Sequence, residues 1–282
     1  GRGAVGEIRS FDAQTFPSRV AGEVPLVACA ANELMHAGFP EDAATRWQRD
    51  GLLRDRKVGF GLLAALEAWR AAGCDADDRD AALSIALGLE RAFLDDLAAV
   101  CDPSSQPPFD WSRGEALPPT RFRSRADACA SLLEAFFALE GPVTVHVSAC
   151  AAGGLVVAHA ASLIERAVAS MVLCGASDSM VNPLGIGGMA RLNALSPRSA
   201  PDACRPFDRR RDGLVIGEGA AMFVVEDESR ARARGARPLA YILGSGSTQD
   251  AWRATAPRPD GASARAAMTQ CLRRAGLTAD AV

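Results

Sequence analysis

The chain has 282 residues, with 31 basic against 34 acidic side chains, a formal charge of -3 at pH 7 and 49% hydrophobic residues. Such a chain can bury a large core in one or two domains. Its charge balance excludes a strong general pull toward nucleic acid or an anionic membrane. The eight cysteines (Cys29, Cys74, Cys101, Cys129, Cys150, Cys174, Cys204 and Cys271) are scattered through apolar runs without CxxC spacing. That pattern argues against a zinc site and against a disulfide framework, and it fits a reducing cytoplasm.

Residues 1–39 read as irregular, with no strand of their own, and 1–30 hold no basic-then-apolar signal segment. Glu41 to Arg49 reads as a short polar helix. Arg54 to Ala72 reads as a long amphipathic helix with Phe60, Leu63, Leu66 and Trp69 on one stripe, its start marked by Arg54-Asp55-Arg56-Lys57. Ala81 to Leu89 suits a core strand, Asp102 to Pro119 a proline-rich loop, and Arg123 to Leu139 a helix with Ala130, Leu133, Phe136 and Phe137 inward.

Val143 to Val147 is mostly β-branched and follows a Gly-Pro punctuator, as a buried strand would. Ala151 to Ile164 carries no full charge and predicts a helix buried all round. Gly141-Pro142, His146 and Gly153-Gly154 interrupt this stretch, so it reads as core and not as a membrane span. Cys150 therefore falls where a strand turns into the first turn of a helix. A free cysteine more often packs than reacts. At a helix start, however, unpaired amides and the positive end of the dipole favour a thiolate and can hold a developing oxyanion.

Ala169 to Gly175 reads as the next strand, and strand–helix–strand order predicts parallel pairing in an α/β fold. Asn182 to Met189 reads as a glycine-rich loop without the context of a phosphate loop. Arg205 to Gly213 reads as a charged loop, Gly219 to Val225 as a strand, and Glu228 to Arg234 as a short helix. Pro238 to Leu243 reads as a strand and Ser263 to Ala275 as a helix stopped by Gly276.

Several pieces, taken together and in order, resemble the β-ketoacyl–acyl carrier protein synthases, the condensing enzymes of fatty-acid and polyketide synthesis. They are Phe11-Asp12, Gly22-Glu23-Val24, Gly141-Pro142, Val147 to Gly153, Ala194-Leu195-Ser196-Pro197, Arg205-Pro206-Phe207-Asp208, Arg211-Asp212-Gly213, Gly217-Glu218-Gly219, Arg234-Gly235-Ala236 and Pro257 to Gly261. The resemblance implies a thiolase-like α/β fold, layered α-β-α with mixed sheets, usually in a homodimer. Residues 1–227 would form the N-terminal synthase domain without its first strand, and 228–282 an incomplete second half. It implies that Cys150 takes up an acyl group as a thioester, its own backbone N–H serving in the oxyanion hole, and that malonyl-carrier then condenses with it after losing carbon dioxide. Met189 takes the place of an acyl-pocket gate that is usually Phe.

No metal and no resident cofactor are implied, because the substrates ride on the phosphopantetheine of an acyl carrier protein. That acidic partner calls for basic residues, for which Arg54, Arg56, Lys57, Arg191 and Arg205 are the candidates. The chain also departs from the family pattern. The family uses two histidines, in a His-Gly-Thr and a Gly-His motif, and His36, His146 and His159 lie in neither context. The chain accordingly matches roughly the first two thirds of a synthase and is expected to be part of a longer protein. Arg253 stands where a histidine is usual. Two other functions fit less well: a non-catalytic, chain-length-determining partner subunit of a heterodimer, which usually lacks the cysteine, and a related acyl transferase that does not condense.

Overall fold

A computed structural model describes residues 4–25, 30–88, 127–253 and 256–282, with single positions 96, 98, 100, 101 and 104 between them. The expected loop 102–119 lies outside the described residues apart from Ser104, as does Cys29.

Strand β3 (Ala82–Leu87) is the heart of the fold, buried at all six positions. It lies between β4 (Val143–His146) and β5 (Met171–Ser179), parallel to both, and β6 (Glu218–Glu226) closes the sheet antiparallel to β5. Successive side chains of β3 point to opposite faces. Leu83, Ile85 and Leu87 form one core with Met171 and Leu173 of β5, Leu62, Leu66 and Trp69 of helix α3 (Arg56–Ala71), and Leu133 and Phe137 of helix α4 (Ala128–Phe137). Removing each such fully buried leucine from water contributes about 1.5–3 kcal/mol. The other face of β3 presents the small residues Ala82, Ser84 and Ala86, so helix α5 (Ala152–Glu165) lies against it through Ala152, Val156, Ala160 and Leu163. Helices on both faces of a mixed sheet give the expected α-β-α layering.

Local chemistry places the helix ends. Asp55 caps α3 by accepting from the Lys57 amide, and Gly73, at φ +67°, receives the chain at the other end. Helix α1 (Ala31–Ala37) ends at Gly38 and helix α2 spans Glu41–Arg49 as expected. Helix α7 (Glu228–Ala233) and helix α8 (Ala262–Ala275, followed by Gly276 at φ +67°) also lie where expected.

Five expectations are corrected. The first 39 residues are not all irregular: β1 (Val5–Glu7) and β2 (Val20–Gly22) pair antiparallel, and α1 follows. Strands of three residues are too short to show a period. The stretch from Asn182 to Met189 is not a loop but belongs to helix α6 (Pro183–Arg191). The Asn182 side chain accepts from the Gly185 amide at 2.9 Å, and Pro183 supplies a preset φ at the first helical position. Two strong start signals outweigh the low helix propensity of three glycines. Residues 238–243 form no strand, and Leu239 is 99% exposed. A β-rich run becomes a strand only against a partner, and none of the described residues offers one. Finally, β4 is not a buried strand. It is the sheet edge, with Val143 37% exposed, and α5 is buried along one stripe and not all round.

Candidate active site

Cys150 sits where the sequence placed it, between β4 and α5, on a single 3-10 turn of Ala149–Ala151. The turn leaves the carboxyl end of β4, which is where open α/β sheets present their ligand sites. Ala149 just before it adopts φ +47°, a left-handed conformation that costs a non-glycine residue about 1–2 kcal/mol. Such strain clusters at functional turns. No side chain caps the start of α5; the Ala151 amide donates to the Ser148 carbonyl at 3.2 Å and the Ala152 amide to the Ala149 carbonyl, so the 3-10 turn itself takes up the first amides of the helix. Cys150 is exposed, although the strand and helix that flank it were expected to be buried. The difference follows from β4 being the edge strand.

Met189 lies on α6 in a separate small core, packed with Phe11 and Phe16 of the N-terminal segment against Ile186 and Leu195. Exposed Cys150 is not part of that core, so it does not bring the two sequence-predicted site residues together.

Four of the five basic residues expected to face a carrier are tied into the fold. Arg54 pairs with buried Asp96 at 3.1 Å, Arg56 with Glu218, Lys57 with its own helix cap Asp55, and Arg205 with Asp202 at 2.9 Å. Charges this close to the core must be paired, and that need is what the sequence cluster Arg54-Asp55-Arg56-Lys57 serves. Arg191, at the end of α6, is exposed. Arg253 is exposed in a loop that Arg258 closes, its amide donating to Asp250 at 2.8 Å and its guanidinium lying over Trp252. Packing around Arg253 therefore makes no demand for a histidine. Among the described residues no group of three or more His, Cys, Asp or Glu converges as a metal site, and no helix is long and apolar enough to cross a membrane.

Sequence reasoning gave His146 and His159 no role beyond core or interface. In the structure both reach the hydroxyl of Ser84 on β3, His146 Nε2 at 3.2 Å and His159 Nδ1 at 3.0 Å. The signal was their placement on either side of Cys150, but only the sheet shows that one buried hydroxyl serves both. Burial first, and the neighbouring His159 second, hold His146 below the ordinary histidine value of 6.5. The native state thus binds fewer protons here than the unfolded chain. This contribution is fully present above pH 6.5 and is lost as the pH falls through the depressed native value. Thermal unfolding of wild type and His146→Gln across pH 5–8 checks it: the variant is expected to show a flatter decline on the acid side.

The mixed sheet layered between helices is the arrangement expected of a thiolase-like α/β protein. Residues 1–231 match the family model of the beta-ketoacyl synthase N-terminal domain, and the chain belongs to that family. It is 30% identical over 289 residues to the tetracenomycin polyketide synthase ketoacyl synthase alpha subunit of Streptomyces glaucescens, covering 99% of this chain and 64% of that one. It is 28% identical over 285 residues to 3-oxoacyl-[acyl-carrier-protein] synthase 2 of Vibrio cholerae, covering 100% of this chain and 65% of the other. Among solved structures, a beta-ketoacyl synthase from Burkholderia phymatum superposes with a TM-score of 0.80 at 27% identity, covering 100% of this chain and 65% of that one. The chain thus spans less than two thirds of the length of these curated relatives.

Proposed function

We propose that the protein, in its full natural length, is a β-ketoacyl-acyl carrier protein synthase with Cys150 as its nucleophile. The observation that carries this reading is an exposed thiol on a strained strand-to-helix turn inside a family-matched domain. The Cys150 thiolate attacks the carbonyl carbon of a carrier-bound acyl thioester. The Cys150 backbone N–H serves in the hole that holds the oxyanion, and the carrier's thiolate leaves and takes a proton. Malonyl-carrier then loses carbon dioxide, and the electron pair left on its α-carbon forms the new carbon–carbon bond to the acyl group, expelling Cys150 as thiolate. In this reading residues 1–227 form the N-terminal synthase domain and 228–282 open the second. The name of the Vibrio relative supports an acyl carrier protein as the partner, and the word subunit in the Streptomyces name supports assembly with a further chain. Met189, with its flexible thioether, is the acyl-pocket residue of this proposal.

Intact-mass analysis of the full-length protein after incubation with an acyl-carrier substrate tests it. Wild type is expected to gain the mass of one acyl group and Cys150→Ala none. No gain in either protein moves the weight to a non-catalytic, chain-length-determining partner subunit. A gain without condensation on adding malonyl-carrier indicates a plain acyl transferase.

A further inference from the structure

His146 ends β4 on one side of Cys150, and His159 stands on α5 on the other. Their rings approach edge to face with centroids 4.9 Å apart. The hydroxyl between them, Ser84 Oγ, is on a fully buried residue of β3, and the Val156 carbonyl of α5 lies 3.5 Å from it. A hydroxyl has one proton to give and two lone pairs to accept with. It can donate to one ring nitrogen while accepting N–H from the other ring. When both facing nitrogens carry hydrogen, it accepts from both and turns its own proton toward Val156. Two imidazolium rings at this separation would repel each other.

The surroundings do not cancel this coupling. On the groove side the rings share a wall with Glu165 of α5 and Arg274 of α8, which are opposite in sign. From the sheet, Cys174 of β5 faces α5, and burial pushes its thiol up to about 12, leaving it neutral.

We propose that His146, Ser84 and His159 form a one-proton couple that positions the turn carrying Cys150, so that the pH response of Cys150 is set in part by this trio. The proposal rests on the reading of Cys150 as the nucleophile. None of the three is a catalytic residue; each acts through backbone. His146 anchors the strand that leads into Val147, Ser148 and Ala149, while His159 and the Val156 carbonyl anchor the helix that follows. The left-handed Ala149 leaves the turn dependent on anchors at both ends. Ser84 carries the hydroxyl that both anchors share.

The test uses the full-length protein as wild type, Ser84→Ala, Ser84→Thr, His146→Gln and His159→Gln. Histidine ring resonances are followed by NMR from pH 5 to 8, and the rate of Cys150 alkylation by iodoacetamide is measured by peptide mass spectrometry over the same range. In wild type the two rings are expected to titrate as a coupled pair. The alkylation profile should then show an inflection below pH 6.5 beyond that of a single thiol. Ser84→Ala and both glutamine variants should lose that inflection, changing the rate at pH 5.5 by about threefold or more while staying within about twofold at pH 8. Ser84→Thr, which keeps the hydroxyl, should retain it. Independent titration of the two rings overturns the proposal, and that measurement needs no variant to fold. A Ser84→Ala profile superimposable on wild type overturns it too. Failure of acyl transfer with the coupled titration intact would remove the nucleophile reading and leave the couple standing, so the two failures are distinguishable.

Discussion

Glu218→Ala is expected to destabilise the protein by about 3–5 kcal/mol, the range for breaking a buried ion pair by removing one partner. The Glu218 side chain is 0% exposed and Arg56 is 17% exposed. Its carboxylate accepts from Arg56 Nε at 3.1 Å, from Ser179 Oγ at 2.7 Å and from the Val24 amide at 2.9 Å. One carboxylate therefore ties the starts of α3 and β6, the end of β5 and the segment after β2. Alanine leaves a cation and two further donors facing an apolar gap. The double variant Arg56→Met/Glu218→Leu should recover part of the loss, because it removes both charges and fills the space. Arg210→Ala, at an exposed pair with Asp208, should leave the urea midpoint unchanged. Urea unfolding with matched m-values reads all three. A loss below about 1 kcal/mol for Glu218→Ala would put the pair in the same class as a surface ion pair and sink the argument.

The same pair shows where sequence reading stopped. Arg54, Arg56 and Lys57 read as a charged helix start and as candidates to face a carrier, and either role puts them at the surface. Lys57 pairs locally with Asp55, but the partners of Arg56 and Arg54, Glu218 and Asp96, are 162 and 42 residues away along the chain, so nothing local reveals those pairings. What was legible had local causes. The β3 run, the α3 stripe, the stop at Gly276 and the place of Cys150 all follow from periodicity and turn chemistry within a dozen residues. The misjudged elements depended on a neighbour. β4 was apolar enough for a core strand, but its burial depends on which strands flank it, and it has one. Residues 238–243 had β-forming residues and no ladder partner. In α6 the reverse occurred: Asn182 and Pro183 carried a helix start that the glycines concealed. Cys150 was identified by position, while the Ser84 link to both histidines required the β3–β4 register that sets Ser84 opposite Thr144 and Ala86 opposite His146.

Gly175→Ala is expected to cost about 3 kcal/mol, at the upper end of the overpacking range, and to lower soluble yield. Gly175 pairs with Ile85 of β3 on one side and Met222 of β6 on the other, in the middle of the sheet. A Cβ there would stand 2.1 Å from the Ala221 carbonyl oxygen and 2.7 Å from Met222 Cα. Both atoms are backbone of a paired strand, so no rotamer change relieves the overlap. Either β6 shifts and strains its ladder with β5, or β5 bulges and disturbs Ile85 in the core. Because β6 begins at Glu218, a shift would also reach the Arg56 pair, and combining the two substitutions should give less than the sum of their separate losses. Gly6→Ala is the matched control. It lies in β1 with nothing within 4 Å of the added carbon, so it should gain about 0.5 kcal/mol from lowered chain entropy in the unfolded state. Urea midpoints for the two alanine variants should move in opposite directions. Equal midpoints would mean that β5 and β6 do not approach this closely at Gly175, and the route by which the sheet reaches the α3 start would have to run elsewhere.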